Sequence, residues 1–470
     1  MCRNPAHRQF PAPTHHFLHF HSGPPPGNFH RYLFCRLFGR YFRHDCGGAG
    51  LQRFAAPGRR VLCPPEIRAV ANGYKTQRRT TPGLMLDLQA SENQAFLREH
   101  RGSDPHRLLL RFRGKEPEQS LCRQLAWRQK IKQKLPTWFS DLRLQIPDGI
   151  ALEQCSSEAT AQLKASMFKG EAFADLTGGL GIDTAALARQ FRRAYFVEPD
   201  AHRAAVAEAN FRSMNLSVTV FKASAEEVMA ELPPLDLLYL DPDRRALAGK
   251  RSVQLAQYQP DIIKLWPRLQ AKAPQIAVKV SPAVALNAVR KKLPGLAEIW
   301  IIALHQECKE VILYWNETVE HSPPLMRTWH LGGRAWQRWS APADPPPPPV
   351  EACGVEDFIF EPNPALRKGG ISDDLLRHFP IKKLHPQSWL YTGSEDLSHF
   401  PGKRFRLLEK AKPFGPGLKG QKWNVVTRNF PKSAAEIQKQ LALKPSQTHY
   451  LFATRDLSGW LFLLAEIIAD

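Results

Sequence analysis

The chain has 470 residues, of which 43% are hydrophobic and 23% charged, about three times the length of a typical ~150-residue domain. This composition excludes a wholly disordered or fibrous chain, and no apolar run reaches the ~20 residues a membrane-spanning helix needs. Sixty-five Lys and Arg against 44 Asp and Glu leave a formal charge of +21, which suits a polyanion partner without choosing among RNA, DNA and an acidic membrane surface.

Residues 1–84 hold thirteen Arg or Lys against only Asp45 and Glu66, about half of the surplus. They also hold Cys2, Cys35, Cys46 and Cys63 and seven His in the first fifty positions, with no helical or strand period. Two readings stand: a disordered basic arm, or an extension from an upstream start codon. The abrupt opening of a helix-forming sequence at Met85 favours the second. The scattered His and Cys lack the spacing of a zinc site, and Cys122, Cys155, Cys308 and Cys353 form no CxxC pair, so no metal is expected and a reduced, cytoplasmic setting is the default.

Residues 85–169 predict helices. The segment 116–136 places Leu121, Leu125, Ala126 and Ile131 at broadly helical spacing, with Arg123, Arg128, Lys130, Lys132 and Lys134 around them. This is either a solvated face or a surface for phosphates. A second helix over 158–168 has Ser156 or Ser157 as its cap.

From residue 170 the grammar becomes strand, turn, helix, repeated to about 320. AFADL, RAYFVEP, SVTVFKA, LDLLYLDP and QIAVKVSP read as strands, and AEIWIIALHQECKEVILYW reads as a hairpin. Amphipathic segments separate the first five, so the fold class is α/β with a Rossmann-like, doubly wound parallel sheet. Residues 321–349 read as an irregular excursion with a hairpin about Gly332-Gly333, ending in a proline spacer at Pro345–Pro349. Residues 350–394 and 395–470 read as two small α+β pieces.

In such sheets ligands lie beyond the carboxyl ends of the strands, and the notable residues fall there. Asp175, Thr177, Gly178, Gly179 and Gly181 form a glycine turn between a strand and a helix, where the backbone can approach a nucleotide-like ligand. Glu198, beside Pro199, ends the second strand seventeen positions after Gly181, placed to accept both ribose hydroxyls. An acid such as Asp175 at the loop suits a cationic sulfonium better than a pyrophosphate, which favours S-adenosyl-L-methionine (SAM) over NAD. The fourth strand ends in Asp241-Pro242-Asp243-Arg244-Arg245. Asp241 and Asp243 are the candidate catalytic carboxylates, and Arg244 and Arg245 are candidates for substrate phosphates. Lys279, Glu307 and Lys309 are further substrate-binding candidates; the last two cluster with His305, Cys308 and Glu310 in the hairpin, where an ion-paired turn is the plainer account. Cys308 is a weak candidate for a nucleophile.

The stretches EQCSSEATAQLKAS, DLTGGLGID, YFVEPD, LYLDPDRR, VKVSP and ECKE, between Glu153 and Trp315, resemble an uncharacterised bacterial family of class I SAM-dependent methyltransferases. In that family a ferredoxin-like segment and a THUMP-like domain follow. FEPNPALRKGG with LHPQSWLYT is similar to the former, and NVVTRNFPKSAAEIQKQL with YLFAT to the latter. The resemblance runs from about Met85 to Ile468 and implies SAM as cofactor and RNA, such as tRNA or rRNA, as substrate. Two departures from better-known relatives stand out. Asp243 and Arg244 replace the second proline and the stacking aromatic of the usual Asp/Asn-Pro-Pro-aromatic. Ala223-Ser224-Ala225 stands where an acid often holds the adenine, leaving Ser224 or the backbone by Ala225 to do so. A non-catalytic RNA-binding or assembly protein with a decayed methyltransferase fold is the alternative reading, and an NAD oxidoreductase a third. In the C-terminal part Lys412, Lys419, Lys422 and Arg428 offer charge, and Trp423 and Phe430 are either stacking faces or core.

Overall fold

The structure, a computed structural model, describes residues 85–244, 255, 258–319, 322–333, 335–346 and 354–469. The expectations for residues 1–84 and for Arg245 lie outside these residues.

Six helices come first: α1 (Ser91–Glu99), α2 (Pro105–Arg111), α3 (Glu118–Ile131), α4 (Pro136–Ser140), α5 (Gly149–Gln154) and α6 (Glu158–Ala165). Asp104 caps α2 by accepting from the His106 amide, ahead of a proline pre-set for the first helical turn. Leu121, Cys122 and Leu125 of α3 pack with Leu97 and Leu108 of α1 and α2. Ile131, Trp138, Ile146 and Leu152 form a second cluster that reaches Leu180 and Ile182 in the glycine turn, so these helices buttress the loop expected to hold a ligand. Arg128, grouped by sequence with a basic surface, is instead 3% exposed and donates to the carbonyls of Trp138 (2.6 Å), Asp141 (3.0 Å) and Leu144. Those carbonyls belong to α4 and the chain that follows it, and a buried guanidinium is tolerable only with such partners. Lys130 and Lys132 do face solvent.

The second layer follows in order: β1 (Gly170–Asp175), α7 (Ile182–Leu187), β2 (Phe191–Val197), α8 (Ala201–Ser213), β3 (Val218–Phe221), α9 (Ala225–Val228) and β4 (Leu237–Leu240). A two-residue ladder of β5 (Asp243–Arg244) and β6 (Tyr258–Gln259) precedes α10 (Ile262–Gln270), β7 (Gln275–Val280), α11 (Leu286–Lys292), β8 (Glu298–Leu304) and β9 (Glu307–Asn316). Then come β10 (Leu325–Leu331) and β11 (Trp336–Pro342). The strands form one sheet in the order β3-β2-β1-β4-β7-β9-β8-β10-β11, parallel from β3 to β7 and with β9 antiparallel between β7 and β8. The chain winds outward from β1 to β3 and then returns to β4, so the switch point lies between β1 and β4. The parallel strands read as continuous apolar runs, Leu237 to Leu240 for example, because helices cover both faces.

The excursion expected over 321–349 is regular where it is described. β10 pairs parallel with β8 and antiparallel with β11, joined by the hairpin at Gly332-Gly333. Met326 and Trp329 of β10 are buried in the sheet's two cores, and that burial decides the strand.

The C-terminal part contains β12 (Phe358–Pro362), α12 (Pro364–Gly369), a 3-10 turn at Ser372–Arg377, β13 (Lys382–Lys383), β14 (Tyr391–Gly393), β15 (Gly402–Ala411), β16 (Asn424–Thr427), α13 (Ala434–Gln440), β17 (His449–Arg455) and β18 (Trp460–Ile467). Sequence reading divides it near residue 394, yet all seven strands share one sheet, β13-β14-β12-β15-β18-β17-β16. Ala365 and Leu366 of α12 join the same core as Ile299 and Met326, which fastens this part to the large sheet.

Candidate active site

The glycine turn after β1 is shaped by its own sequence. Gly179 (φ +58°) and Gly181 (φ +80°) occupy the left-handed region, and a Cβ on Gly178 would lie 2.2 Å from the Phe196 ring. The tight turn brings the Gly179 amide 2.8 Å from Glu198 Oε2, while the Asp200 amide donates to Oε1 at 2.9 Å. Glu198 is thus oriented by two backbone amides at the end of β2, and burial pushes its carboxyl up. Pro199 lies beside it, exposed.

Asp175, 2% exposed, accepts from the Thr177 amide (3.0 Å) and from the Thr184 hydroxyl (2.6 Å). Burial pushes its carboxyl up to about 7, against the pull of those hydrogen bonds. Thr177 Oγ1 in turn accepts from the Asp241 amide at 2.5 Å, so the ends of β1 and β4 are tied across the switch point.

Asp241 keeps about a third of its side chain exposed (32%) and pairs with Lys279 Nζ at 2.5 Å. Lys279 Nζ also donates to Ser156 Oγ at 3.0 Å. Below that pair lies a charge network of which sequence reading had only Glu310, in the hairpin cluster, and Ser156, as a possible cap. Lys164, 1% exposed on α6, meets Asp183 (2.8 Å) and Glu310 (2.7 Å) and donates to Ser156 Oγ (2.9 Å) and Tyr239 Oη (3.2 Å). Asp183 accepts from Ser156 (2.7 Å) and Tyr239 (3.0 Å), and Glu310 accepts from Thr160 (2.7 Å). Burial works against the charge on Asp183 and Glu310, but Lys164 and Lys279 outweigh it and hold both carboxyls below their usual range. Burial likewise works against the Lys279 ammonium, and Asp241, Glu310 and Asp183 outweigh it, so it stays protonated. The available signals were a lone lysine between the buried Leu163 and Ala165, and single polar groups at the ends of apolar runs, Tyr239 within LLYL and Glu310 before VIL.

The remaining candidates divide. Ser157 caps α6 by accepting from the Thr160 amide (3.2 Å), while Ser156 enters the network. Asp243 is exposed and accepts from Gln154 Nε2 (3.2 Å), which brings the end of α5 over the Asp241–Asp243 edge. Arg244 contributes its backbone to the β5–β6 ladder. The Ser224 hydroxyl donates to Glu227 (2.8 Å) in a capping box at α9, with Ala225 buried after it. That bond engages the hydroxyl expected to serve adenine. Glu307 and Lys309 pair with each other on an exposed strand end, whereas Lys279 faces Asp241 and Ser156. Adjacent strand positions point to opposite faces, so Glu310 turns inward where Lys309 turns out. Burial pushes the Cys308 thiol up to about 12, which leaves little thiolate for a nucleophile. Trp423 (9% exposed) is core, packed with Leu418, Ile437 and Leu464, and Phe430 lies against Phe462 and Trp460.

Away from this edge, a cavity of about 490 Å³ lies beside the starts of β8 and β10, lined by residues such as Asn287, Arg290, Pro324 and Asp344. Its Arg290–Asp344 pair (2.6 Å) is closed on itself, and the strand-end geometry carries more weight than the size of this hollow.

A ferredoxin-like domain model matches residues 358–401, and a THUMP domain-like model matches 408–466. The chain is similar to a solved structure from Porphyromonas gingivalis W83 described as a "putative methyltransferase", with 25% identity, 82% of this chain and 100% of that chain covered, and a TM-score of 0.71. It is also similar to the 16S rRNA N2 G1207 methyltransferase of T. thermophilus, solved with AdoMet and guanosine, with 14% identity over 37% of this chain and 44% of that one, and a TM-score of 0.27. No curated protein matches the chain. The protein therefore has a mixed α/β fold with methyltransferase-like structural neighbours and C-terminal ferredoxin-like and THUMP-like domains, as the resemblance in its sequence implies.

Proposed function

We propose that the protein is a SAM-dependent methyltransferase that modifies an RNA base, in tRNA or rRNA. The observation that carries this reading is the gathering of Asp175, the 177–181 turn, Glu198 and Asp241 at the carboxyl ends of β1, β2 and β4, linked by the Gly179–Glu198 and Thr177–Asp241 hydrogen bonds. The likeness to the P. gingivalis protein supports the reaction class, and the THUMP-like domain supports RNA.

The residues fit the cofactor. A turn where a Cβ on Gly178 would strike Phe196 leaves close backbone approach, and the carboxylates around it suit a cation. Glu198 would hold the ribose hydroxyls, while Asp175 and the turn would hold the amino-acid end. SAM supplies an electrophilic methyl group on a sulfonium. Asp241, the carboxylate of this group that reaches solvent, would accept a hydrogen bond from an amino or hydroxyl nucleophile and orient its lone pair for in-line attack. Burial pushes the Asp241 carboxyl up, and the Lys279 ammonium beside it pulls the other way by favouring the ionised, hydrogen-bond-accepting form. Asp243, held by Gln154, lies at the rim where a base would enter.

The same ion pair favours a second reading, a non-catalytic RNA-binding protein in which Lys279 neutralises a retired Asp241. Calorimetry separates the two. Micromolar SAM binding supports the enzyme, and none at millimolar SAM supports the scaffold. Incubating total RNA from a strain lacking the protein with labelled SAM and mapping the modified nucleoside then tests the substrate. Binding of SAM with no labelled nucleoside in any RNA fraction would overturn the assignment of RNA.

A further inference from the structure

The C-terminal sheet contains a crease in which three cations surround one acid. Glu361, next to last in β12, has its side chain 6% exposed. Its Oε1 accepts from Arg367 Nη1 of α12 (2.8 Å) and from Nε (2.9 Å) and Nη2 of Arg428, the residue after β16. Lys403 on β15 stands directly opposite Glu361 in the strand register. Three separate stretches of sequence, in FEPNPALRKGG, GKRF and VVTRNF, therefore deliver charge to one place.

An ion pair that merely fastens two elements needs one cation for one carboxylate, yet here the balance is two positive charges in excess. The excess is not out in solvent, since the Arg367 and Arg428 side chains are only 18% and 28% exposed. Burial, and then the mutual repulsion of the cations, lower the pKa values of Arg367 and Lys403 despite the pull of Glu361. Like charges held together in a half-buried site destabilise the fold unless an anion joins them. Donors are available for one. Among the described residues Arg367 makes a single hydrogen bond, out of the five N–H donors of a guanidinium. Lys403 makes no ion pair there, and its ammonium rests 5.6 Å from the Tyr450 ring centre. Arg428 is committed to Glu361 and to the Thr427 carbonyl (2.8 Å), so it positions the acid more than it offers donors.

We propose that Arg367, Lys403 and Arg428, gathered around Glu361 where the ferredoxin-like and THUMP-like domains meet, form a binding site for a phosphate group of a polynucleotide chain, here RNA. Arg367 and Lys403 contact the phosphate, Glu361 and Arg428 fix the Arg367 fork, and the Tyr450 ring lies at the edge. The choice of RNA rests on the functional reading above, whereas the site itself rests on the charge imbalance.

The test uses the full chain and a short single-stranded RNA carrying a fluorophore, with anisotropy measured across a salt series. Lys403→Gln removes a cation without removing a protein hydrogen bond, so the fold stays intact. Its affinity should fall about fivefold, and the slope of log affinity against log salt should drop by about 0.7, the value for one lost phosphate contact on a single strand. Glu361→Gln should shift affinity the opposite way. If that variant does not fold, the Lys403 slope alone decides. An unchanged slope in Lys403→Gln overturns the proposal. Inorganic phosphate forms the second arm: displacement of RNA by phosphate together with the slope change supports the site. Phosphate binding with RNA affinity indifferent to Lys403 marks a small-anion site and overturns it. SAM titration and methyl transfer by the same variant keep the two readings apart. A slope change without any methyl transfer by the parent would sink the enzyme and leave the crease standing. Transfer by the parent with an unchanged slope would do the reverse.

Discussion

Two buried charge clusters in this protein are built from the same kinds of side chain and have opposite balance. Under the carboxyl edge of the large sheet, Lys164 and Lys279 face Asp183, Glu310 and Asp241, one acid more than the bases. In the C-terminal crease Arg367, Arg428 and Lys403 face Glu361 alone among the described acids. The first cluster also borders Asp175 and Glu198, so its surroundings favour a positive ligand, and the second favours a negative one. A count of charges in the sequence, +21 in total, hides this division. What matters is which charges folding removes from water together.

Breaking the acidic cluster at its exposed end should have the largest effect. Asp241→Ala is expected to lower methyl transfer by at least about a hundredfold while SAM still binds, the scale of losing a positioned polar group at the reacting atom. Turnover equal to the parent in a labelled-methyl assay would remove its assigned role. Lys164→Met tests the buried end. It strands Asp183 and Glu310 without their main cation, and a loss of about 3–5 kcal/mol is expected in denaturant unfolding. A loss below about 1 kcal/mol would mean that the network is wet and loosely coupled.

Glu198→Ala should weaken SAM binding by about tenfold to a hundredfold, the scale of hydrogen bonds to a charged acceptor, with a stability loss of about 1–3 kcal/mol because the Gly179 and Asp200 amides lose their acceptor. Asp175 sharpens the comparison through pH. Its folded pKa of about 7 lies above the unfolded value of 3.8, so the folded state holds the proton more tightly. Its contribution to stability is complete below the unfolded value and is lost as pH rises towards 7. Asp175→Asn should remove that part of the pH dependence in thermal melts. A cationic ligand favours the ionised form, so SAM affinity should rise as pH climbs through about 7 in the parent and stay flat in the variant. The smallest effect belongs to the exposed Glu307–Lys309 pair: Lys309→Ala should change stability by less than about 0.5 kcal/mol.

The order of elements through the methyltransferase-like sheet is legible from period and punctuation alone. Apolar runs such as LLYL mark strands covered on both faces, and the glycines after Asp175 mark a turn that no side chain could enter. Asp175, Glu198 and Asp241 are legible too, because an acid at the end of an apolar strand has little reason to be there unless something meets it. Lys164 and Asp183 were not legible, and Glu310 was legible as a charged residue of the hairpin but not as their partner. They lie on α6, α7 and β9, and nothing in their own neighbourhoods reveals that these three elements meet. The hairpin about Gly332-Gly333 was legible, but the same limit hid that its first strand, β10, joins the large sheet beside β8, where Met326 and Trp329 find a core.

Sequence by itself determined what each segment can become, because dihedral preference, hydrophobic period and turn chemistry act over a few residues. Tertiary structure alone decided which charges share a low-dielectric space. The Lys164 ammonium meets acids 19 and 146 positions away, and Glu361 meets an arginine 67 positions away. Coulomb energy depends on distance and surroundings rather than on order along the chain, so the acidic site and the basic crease came into being only when the sheets closed.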